Sequence, residues 1–189
     1  AHFGSVTSNI YLFVNGHFAG YAEDSKVAAE FDITKFVKPG KNLVAFQTFR
    51  WCDGSWDEDQ DFWRLSGVAR NCYLFAKNPA IQVSNVKITP DLLNGYQDGE
   101  LLINVNVKGN PIIDFQLLNA NNQVVGKSSG SFHNMSTGSA RFTVRNVKKW
   151  TAETPYLYTL LAIVKDRKGN VVEVIPQKVG FRKVEIKNS

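Results

Sequence analysis

Residues 10–22, IYLFVNGHFAGYA, have the pattern of two β-strands joined by a tight turn. An apolar run over residues 10–14 is followed by Asn15-Gly16, a dipeptide that accepts the positive φ angles of a two-residue hairpin turn. Residues 18–22 then form the returning strand. Short apolar runs separated by turn residues continue along the chain, and no stretch of useful length has helical periodicity. The sequence therefore predicts an all-β protein.

Asn78-Pro79 is the predicted boundary between two domains, residues 1–78 and 79–189. A proline after a finished strand cannot continue the hydrogen-bonded ladder and favours an extended linker. About seven short strands in roughly 100 residues, as found after the boundary, are typical of an immunoglobulin-like sandwich. Residues 128–139 are low in apolar content and are predicted to form a surface loop. The remaining predicted strands are residues 43–49 and 71–76 before the boundary, and 81–88, 101–107, 112–118, 123–126, 141–144, 157–164, 171–175 and 179–186 after it.

Charge and composition limit the class of partner. The formal net charge is +5, but residues 1–78 carry 8 Lys+Arg against 9 Asp+Glu. The basic residues of the second half are spread over strands and turns without a cluster interleaved with aromatic residues, so no nucleic-acid partner is expected. No window approaches the roughly 20 apolar residues of a membrane helix, so no membrane partner is expected. Cys52 and Cys72, too few for a disulfide framework or a structural zinc site, are expected to be buried free thiols.

Residues 50–70, RWCDGSWDEDQDFWRLSGVAR, hold five carboxylates and three of the four tryptophans. Such crowded negative charge raises carboxyl pKa values unless a cation, an arginine or a ligand offsets it. Asp57, Asp59 and Asp61 alternate, so their side chains leave an extended chain from one face. A loop of about 20 residues without regular structure is uncommon in a compact domain and is more often functional than not. We therefore predict a site for a cation or a polyhydroxyl ligand here.

We predict different roles for the aromatic and basic residues of this loop. Trp56 lies among acids and is the expected ligand-facing aromatic residue. Trp51 and Trp63 are expected to pack in the core, because most large aromatic side chains are largely buried. Arg64 is the candidate internal counter-ion of Asp59 or Asp61.

Motifs of nucleophilic, nucleotide-dependent and metalloprotease chemistry are absent from the sequence. Hydrolysis of a glycosidic bond needs two carboxyl groups on opposed walls about 5 Å or more apart. The acids at residues 57–61 supply only one wall. The residues by themselves leave two alternatives open: two β-sandwiches with a carbohydrate- or cation-binding loop, or a ligand-free scaffold of two β-sandwiches.

Motifs over nearly the whole chain resemble those of a known enzyme family. The segments are Asn15-Gly16, Gly20-Tyr21, Asp24-Ser25, Glu30-Phe31-Asp32, RWCDGS at 50–55, EDQDFWRLSG at 58–67, WTAETPYLY at 150–158 and VGFRKVEI at 179–186. The earlier segments closely resemble the sugar-binding domain of bacterial β-galactosidases of glycoside hydrolase family 2, and the last two resemble the end of that family's second domain. The resemblance implies a partial jelly-roll, galactose-binding-like β-sandwich followed by an immunoglobulin-like one.

The resemblance also implies that catalysis takes place outside these residues. Members of the family continue into a (β/α)₈ barrel that carries both catalytic glutamates, and such a barrel needs about 250 residues. The chain is therefore expected to be a non-catalytic part of a glycosidase acting on terminal β-galactosides, with the barrel of the same polypeptide as its partner. It is expected to begin in mid-loop before residues 10–14, without the early strands of the jelly roll. Open sheet edges in residues 1–78 then favour a homo-oligomer.

Individual roles follow from the same resemblance. Asp61 matches the aspartate that reaches into the barrel's active site, contacts the galactosyl unit and helps to hold sodium. Glu23 and Asp53 fall where some members place ligands of a secondary magnesium site, although Glu23 stands where a glutamine is usual. The residues expected to set the loop's shape and its contact with the barrel are Trp51, Trp63 and Arg64.

Overall fold

The structure, a computed structural model, describes residues 1–24, 26–58, 63, 65–133 and 137–186. These residues form β-strands with one short helix among them, which confirms the all-β prediction. The chain folds as two compact units, Ala1–Ala76 and Lys77–Ser189. Within the described ranges, no helix has the length and apolar character needed to cross a membrane.

The first unit is built from short antiparallel strands. Its elements are β1 (His2–Phe3), β2 (Val6–Thr7), β3 (Asn9–Val14), β4 (His17–Glu23), β5 (Ala29–Glu30), β6 (Val44–Gln47), α1 (Gly54–Asp57), β7 (Gly67–Val68) and β8 (Cys72–Tyr73). The strands pair in the orders β4-β3-β6, β5-β1-β8 and β2-β7. The predicted hairpin is confirmed, since β3 pairs with β4 and both Asn15 and Gly16 have positive φ angles.

Strand β3 organises the core of the first unit. Ile10, Leu12 and Val14 alternate along it and are fully buried, because successive side chains of a strand point to opposite faces. They pack with Phe3 and Val6, which come from β1 and β2. The expectation that the chain begins in mid-loop is therefore wrong, since residues before β3 are paired and contribute to the core.

The second unit is a sandwich of two antiparallel sheets, as predicted. Its strands are β9 (Gln82–Leu93), β10 (Asp98–Lys108), β11 (Ile112–Leu118), β12 (Val124–Ser131), β13 (Thr137–Val144), β14 (Tyr158–Lys165) and β15 (Val171–Val179). The sheet orders are β13-β10-β9 and β12-β11-β14-β15. Alternate residues of β10 and β11 are fully or almost fully buried and belong to one core, namely Leu101, Ile103, Val105, Ile113, Phe115 and Leu117.

The prediction of a surface loop at residues 128–139 is wrong. Most of these residues lie in β12 and β13, apart from residues 134–136, which are outside the described ranges. Phe132 between the two strands is buried, and its ring stands at 90° to that of Phe115 with 6.4 Å between centroids. Serine- and glycine-rich strands therefore cover one end of the core.

Residues 179–186 do not form the predicted strand. Val179 is the last residue of β15, and beyond it Phe181 makes an isolated bridge to Lys149. Phe181 is fully buried and lies edge-to-face against Tyr158. The apolar residues further along, Val184 and Ile186, are exposed. The segment thus contributes two side chains to the core, Val179 and Phe181, and only its first residue belongs to a strand.

Two expectations for the first unit also fail. Residues 50–70 contain α1 and β7, so they are not a structureless loop. Cys52 and Cys72 are free, as predicted, but Cys52 is only half-buried and Cys72 is exposed. The segment between β6 and β7 therefore has a defined turn of helix at its start.

Candidate functional site

The two residues assigned to magnesium lie next to each other. Glu23 is the last residue of β4, and Asp53 immediately precedes α1. One ligand atom from each of Glu23, Cys52 and Asp53 lies within 4.8 Å of the others. Glu23 and Cys52 are half-buried, whereas Asp53 is exposed. The structure thus brings together two residues that are 30 positions apart in sequence and adds a thiol to which no chemistry had been assigned.

Hydrogen bonds fix the carboxylate of Glu23. Its Oε1 accepts the Gly54 N–H at 2.6 Å, and its Oε2 accepts the hydroxyl of Tyr21. Hydrogen bonds from Tyr21, then Cys52 and the Gly54 backbone, lower the pKa of Glu23 to about 2. The bond to Glu23 raises the pKa of the Tyr21 phenol. At neutral pH the site therefore presents an ionised carboxylate held by neutral donors.

Gly54 allows the close approach between α1 and β4. A Cβ atom at this position would lie 2.5 Å from Glu23 Oε1, which is shorter than real Cβ contacts. Local backbone bonds then form the turn: Ser55 N–H donates to Cys52 O at 3.1 Å and Trp56 N–H to Asp53 O at 3.0 Å. The sequence Asp53-Gly54-Ser55 thus places Asp53 beside Glu23.

A buried pair of hydroxyls joins α1 to the start of β3. Ser55 Oγ donates to Ser8 Oγ at 3.0 Å and accepts the Cys52 N–H at 3.1 Å. Ser8 Oγ in turn donates to Arg50 O at 2.9 Å. One residue along, Asn9 Oδ1 accepts the N–H of Phe49 at 2.9 Å. We call residues 49–55 the loop root. These bonds fasten it to the start of β3, and the bond from the Gly54 N–H to Glu23 fastens it to the end of β4.

The residues of the acidic loop are distributed as follows. Asp61, which is predicted to contact the substrate and sodium, lies outside the described residues. So do Arg64, which is predicted to support the loop, and Asp59. Asp57 is the last residue of α1. Asp57 is therefore helical, and the prediction of an extended chain with Asp57, Asp59 and Asp61 on one face is wrong for Asp57.

The three tryptophans of the loop are all exposed. Trp56 on α1 is 79% exposed, which leaves its ring accessible to a ligand. Trp51 and Trp63 are 54% and 78% exposed, so the expectation that they pack in the core is wrong. The Arg50 guanidinium lies 5.3 Å from the centre of the Trp51 ring. The loop thus carries aromatic surface beside its acids.

The oxygen donors of this cluster fit a magnesium ion, and the thiol does not. Magnesium is commonly held by one or two carboxylates and keeps several waters, which Glu23 and Asp53 suit. Both Glu23 oxygens already accept a hydrogen bond, but a carboxylate oxygen has a second lone pair to offer. The soft sulfur of Cys52 suits other metals.

Sequence reasoning missed Tyr21, Ser8 and Ser55. Tyr21 stands two positions before Glu23, and residues two apart on a strand share a face, so the strand prediction contained a signal for their contact. Ser8 and Ser55 are separated by 47 residues. No local pattern predicts their hydrogen bond, because it depends on the pairing of distant segments.

Two family models match consecutive parts of the chain. "Glycosyl hydrolases family 2, sugar binding domain" matches residues 1–79, and "Glycosyl hydrolases family 2" matches residues 81–182. The second of these alone covers more than half of the chain. Together they account for both units of the structure.

Curated relatives include β-galactosidases from three bacteria. That of Priestia megaterium is 39% identical, and the match covers 98% of this chain and 19% of the relative. Those of Pseudoalteromonas haloplanktis and Clostridium acetobutylicum are 37% and 35% identical, over 98% of this chain and 19% and 21% of the relatives. The chain spans about a fifth of the length of these relatives.

Solved structures show the same fold at lower identity. A glycosyl hydrolase family 2 member from Bacteroides cellulosilyticus has a TM-score of 0.82 at 18% identity, covering 97% of this chain and 24% of that one. A Bifidobacterium dentium β-glucuronidase complexed with coumarin-3-O-glucuronide has a TM-score of 0.80 at 16% identity, covering 98% and 36%. At these identities the likeness concerns the fold alone.

Proposed function

The chain belongs to glycosyl hydrolase family 2, and from this we propose that it serves a β-galactosidase as its non-catalytic sugar-binding and immunoglobulin-like domains. The observation that carries the proposal is 35–39% identity to β-galactosidases over 98% of the chain. The substrate is a terminal β-galactoside. A (β/α)₈ barrel of the same polypeptide supplies the catalytic carboxyl groups, and residues 50–70 complete its substrate site.

In this proposal the acidic loop is the part that meets the substrate. Asp61 contacts the galactosyl unit and helps to hold a sodium ion, and Trp56 offers an exposed ring to the sugar. The loop root supports this role because residues 49–55, which precede Asp61 in the chain, are fastened to the start of β3 and the end of β4. A fixed starting point limits the positions that Asp61 can reach, and such positioning contributes to catalysis.

We propose further that Glu23 and Asp53 hold a magnesium ion. Their ligand atoms are close together, and Glu23 is ionised at neutral pH. The ion would supply a local positive charge between two carboxylates at the loop root. Calorimetric titration of the chain with Mg²⁺ should show binding that weakens about tenfold or more in Asp53→Asn. The matched control is Asp57→Asn, an exposed acid outside the cluster. Equal affinities in Asp53→Asn and the unchanged chain would exclude the site.

The proposed function predicts activity only in the presence of a barrel. The 189-residue chain alone should not hydrolyse nitrophenyl β-galactoside. A chimera in which it replaces the matched segment of the Priestia megaterium β-galactosidase should hydrolyse this substrate in preference to nitrophenyl β-glucuronide. In the chimera, Asp61→Ala should lower kcat/KM about 100-fold or more, the scale of one lost polar contact to a transition state. Asp57→Ala, the control, should lower it far less.

Two outcomes would contradict the proposed function. Turnover by the 189-residue chain itself would show that catalytic groups lie within it. A folded chimera whose kcat/KM is the same with and without Asp61→Ala would remove that residue from the substrate site. Circular dichroism and gel filtration of each chimera establish that a loss of rate is not a loss of folding.

A stand-alone carbohydrate-binding module is the second candidate function. It is favoured by the exposure of Trp51, Trp56 and Trp63, because exposed tryptophan rings offer flat apolar surface to ligands. Calorimetric titration of the chain with lactose distinguishes the two candidates. A dissociation constant of about 1 mM or tighter, lost in Trp56→Ala, supports the module, and no binding supports the barrel-dependent role.

A further inference from the structure

The second unit contains a pocket of about 560 Å³, and all of its lining residues belong to that unit. One wall is the turn after β11, with Asn119, Ala120 and Asn121. The other consists of residues 143–146 and Lys148, at and after the end of β13. Val125, Tyr156 and Tyr158 complete the lining. A volume of this size lies within the roughly 300–1,000 Å³ range of small-molecule sites.

Tyrosine hydroxyls hold both walls in place. Tyr156 Oη accepts the N–H of Ala120 at 3.1 Å, and Tyr158 Oη accepts the N–H of Lys148 at 2.9 Å. The two rings contact each other edge-to-face, with 4.9 Å between centroids. Asn119 Oδ1 stabilises the turn by accepting the Asn121 N–H at 2.9 Å. These intrachain bonds preorganise the walls of the pocket, which reduces the entropy that binding would cost.

The charged side chains that line the pocket are both positive. Arg145 and Lys148 belong to the lining, which contains neither aspartate nor glutamate. Lys148 Nζ stands 5.0 Å from the centre of the Tyr156 ring. Asp98 lies behind this wall, where its Oδ1 accepts the Asn146 N–H at 2.9 Å, and it offsets part of the Arg145 charge. The excess of positive charge favours an anionic ligand, and a guanidinium suits a carboxylate in particular.

The neutral part of the lining fits a polyhydroxyl ligand. Asn121, Thr143 and Asn146 line the pocket beside the two cations. Amide and hydroxyl groups donate and accept hydrogen bonds, as sugar hydroxyls require. We propose that this pocket binds an acidic saccharide, with the carboxylate of a uronic acid unit between Arg145 and Lys148 and its hydroxyls against the amide and hydroxyl side chains. An acidic peptide would match the two cations but has no ring hydroxyls for the neutral wall.

Calorimetric titration of the whole chain with digalacturonate tests this proposal. We expect a dissociation constant of about 1 mM or tighter for the acid and at least about tenfold weaker binding of its methyl ester, which has the same ring and linkage without the charge. Arg145→Gln and Lys148→Met should each weaken binding of the acid about tenfold. Arg167→Gln and Lys149→Met are matched controls, since both residues are exposed cations outside this lining and should leave binding unchanged.

Several results would overturn the proposal. These are an absence of binding by the unchanged chain, equal binding of the acid and its methyl ester, and unchanged binding in Arg145→Gln and Lys148→Met. Inorganic phosphate or a hexa-aspartate peptide binding as tightly as digalacturonate would exclude a saccharide as the occupant. Asp53→Asn in the first unit should leave digalacturonate binding unchanged, so this test does not depend on the function proposed for the loop root.

Discussion

Replacing Ser55 by alanine tests whether the loop root is held by the buried hydroxyl pair. Ser55 is 7% exposed, and its Oγ makes one hydrogen bond to Ser8 Oγ and one from the Cys52 N–H. The alanine variant leaves the Cys52 N–H and the Ser8 hydroxyl each without one partner. Leaving a buried polar group unsatisfied costs about 1–3 kcal/mol. We therefore expect the free energy of unfolding of the first unit to fall by about 1–3 kcal/mol.

NMR amide signals of β3, followed during thermal unfolding, measure this change. Ile10, Leu12 and Val14 are fully buried in the first unit, so the loss of their native signals reports its unfolding. In a domain of about 60–100 residues, each kcal/mol lowers Tm by about 4–8 °C. Ser66→Ala is the control, since Ser66 is exposed in the same loop and such surface changes usually stay within about 0.5 kcal/mol.

A double-mutant cycle with Ser8→Ala isolates the contact itself. Because each single variant already breaks the hydrogen bond between Ser8 and Ser55, the double variant should lose less than the sum of the two, with a coupling of about 0.5–3 kcal/mol. Additive losses, or a Ser55→Ala variant as stable as Ser66→Ala, would refute the view that this pair holds the loop root.

Three further changes have defined outcomes. Gly99→Ala places a Cβ 2.7 Å from two atoms of the fully buried Phe181 ring and should destabilise the second unit by about 1–3 kcal/mol in urea unfolding; a loss below about 0.5 kcal/mol would mean that the ring moves aside. Hydrogen bonds lower the pKa of Glu23 from its ordinary 4.5 to about 2, so the stability linked to its ionised form is present above pH 4.5 and lost as pH falls towards 2. In Glu23→Gln, the free energy of unfolding should depend less on pH between about 4.5 and 2. An unchanged pH dependence would contradict the lowered pKa of Glu23. Lys165 Nζ lies 2.6 Å from the Asp114 carboxylate and lowers its pKa, so Lys165→Met should raise the Asp114 pKa in an NMR titration, and an unchanged titration would exclude the ion pair.

Local signals in the sequence predicted several strands. Asn15-Gly16 defines the hairpin of β3 and β4, and the alternation of residues 101–107 matches the buried face of β10. The prediction for residues 112–118 coincides with β11. In each case the pattern of apolar and turn residues lies within the segment or next to it, so the strand can be recognised although some of its partners, such as β14 for β11, are distant in sequence.

The sequence predicted only parts of β12 and β13, residues 123–126 and 141–144, and assigned the serine- and glycine-rich residues 128–139 to a surface loop. Ser129 lies in a run of serine and glycine with little intrinsic strand preference. In the structure it stands opposite Asp114 of β11, and its Oγ donates to the Asp114 carboxylate at 2.6 Å. Strand β13 pairs with β10 in the same way, with Gly138 opposite Val105. Tertiary pairing therefore overrides a composition that by itself is typical of a loop.

The candidate site depends on the same long-range pairing. In the register of β3 with β4, Asn9 stands opposite Glu23. The side-chain oxygens of these two residues therefore lie close enough together to accept hydrogen bonds from the N–H groups of Phe49 and Gly54 in the loop root. Glu23 carries a negative charge there, and this charge is stabilised by the Tyr21 hydroxyl and the Gly54 N–H. Neutral donors stabilise the carboxylate, and hydrogen bonds fasten the loop root to the hairpin of β3 and β4. We therefore expect a magnesium ion at Glu23 and Asp53 to add to the stability of the loop root without being required for its folding.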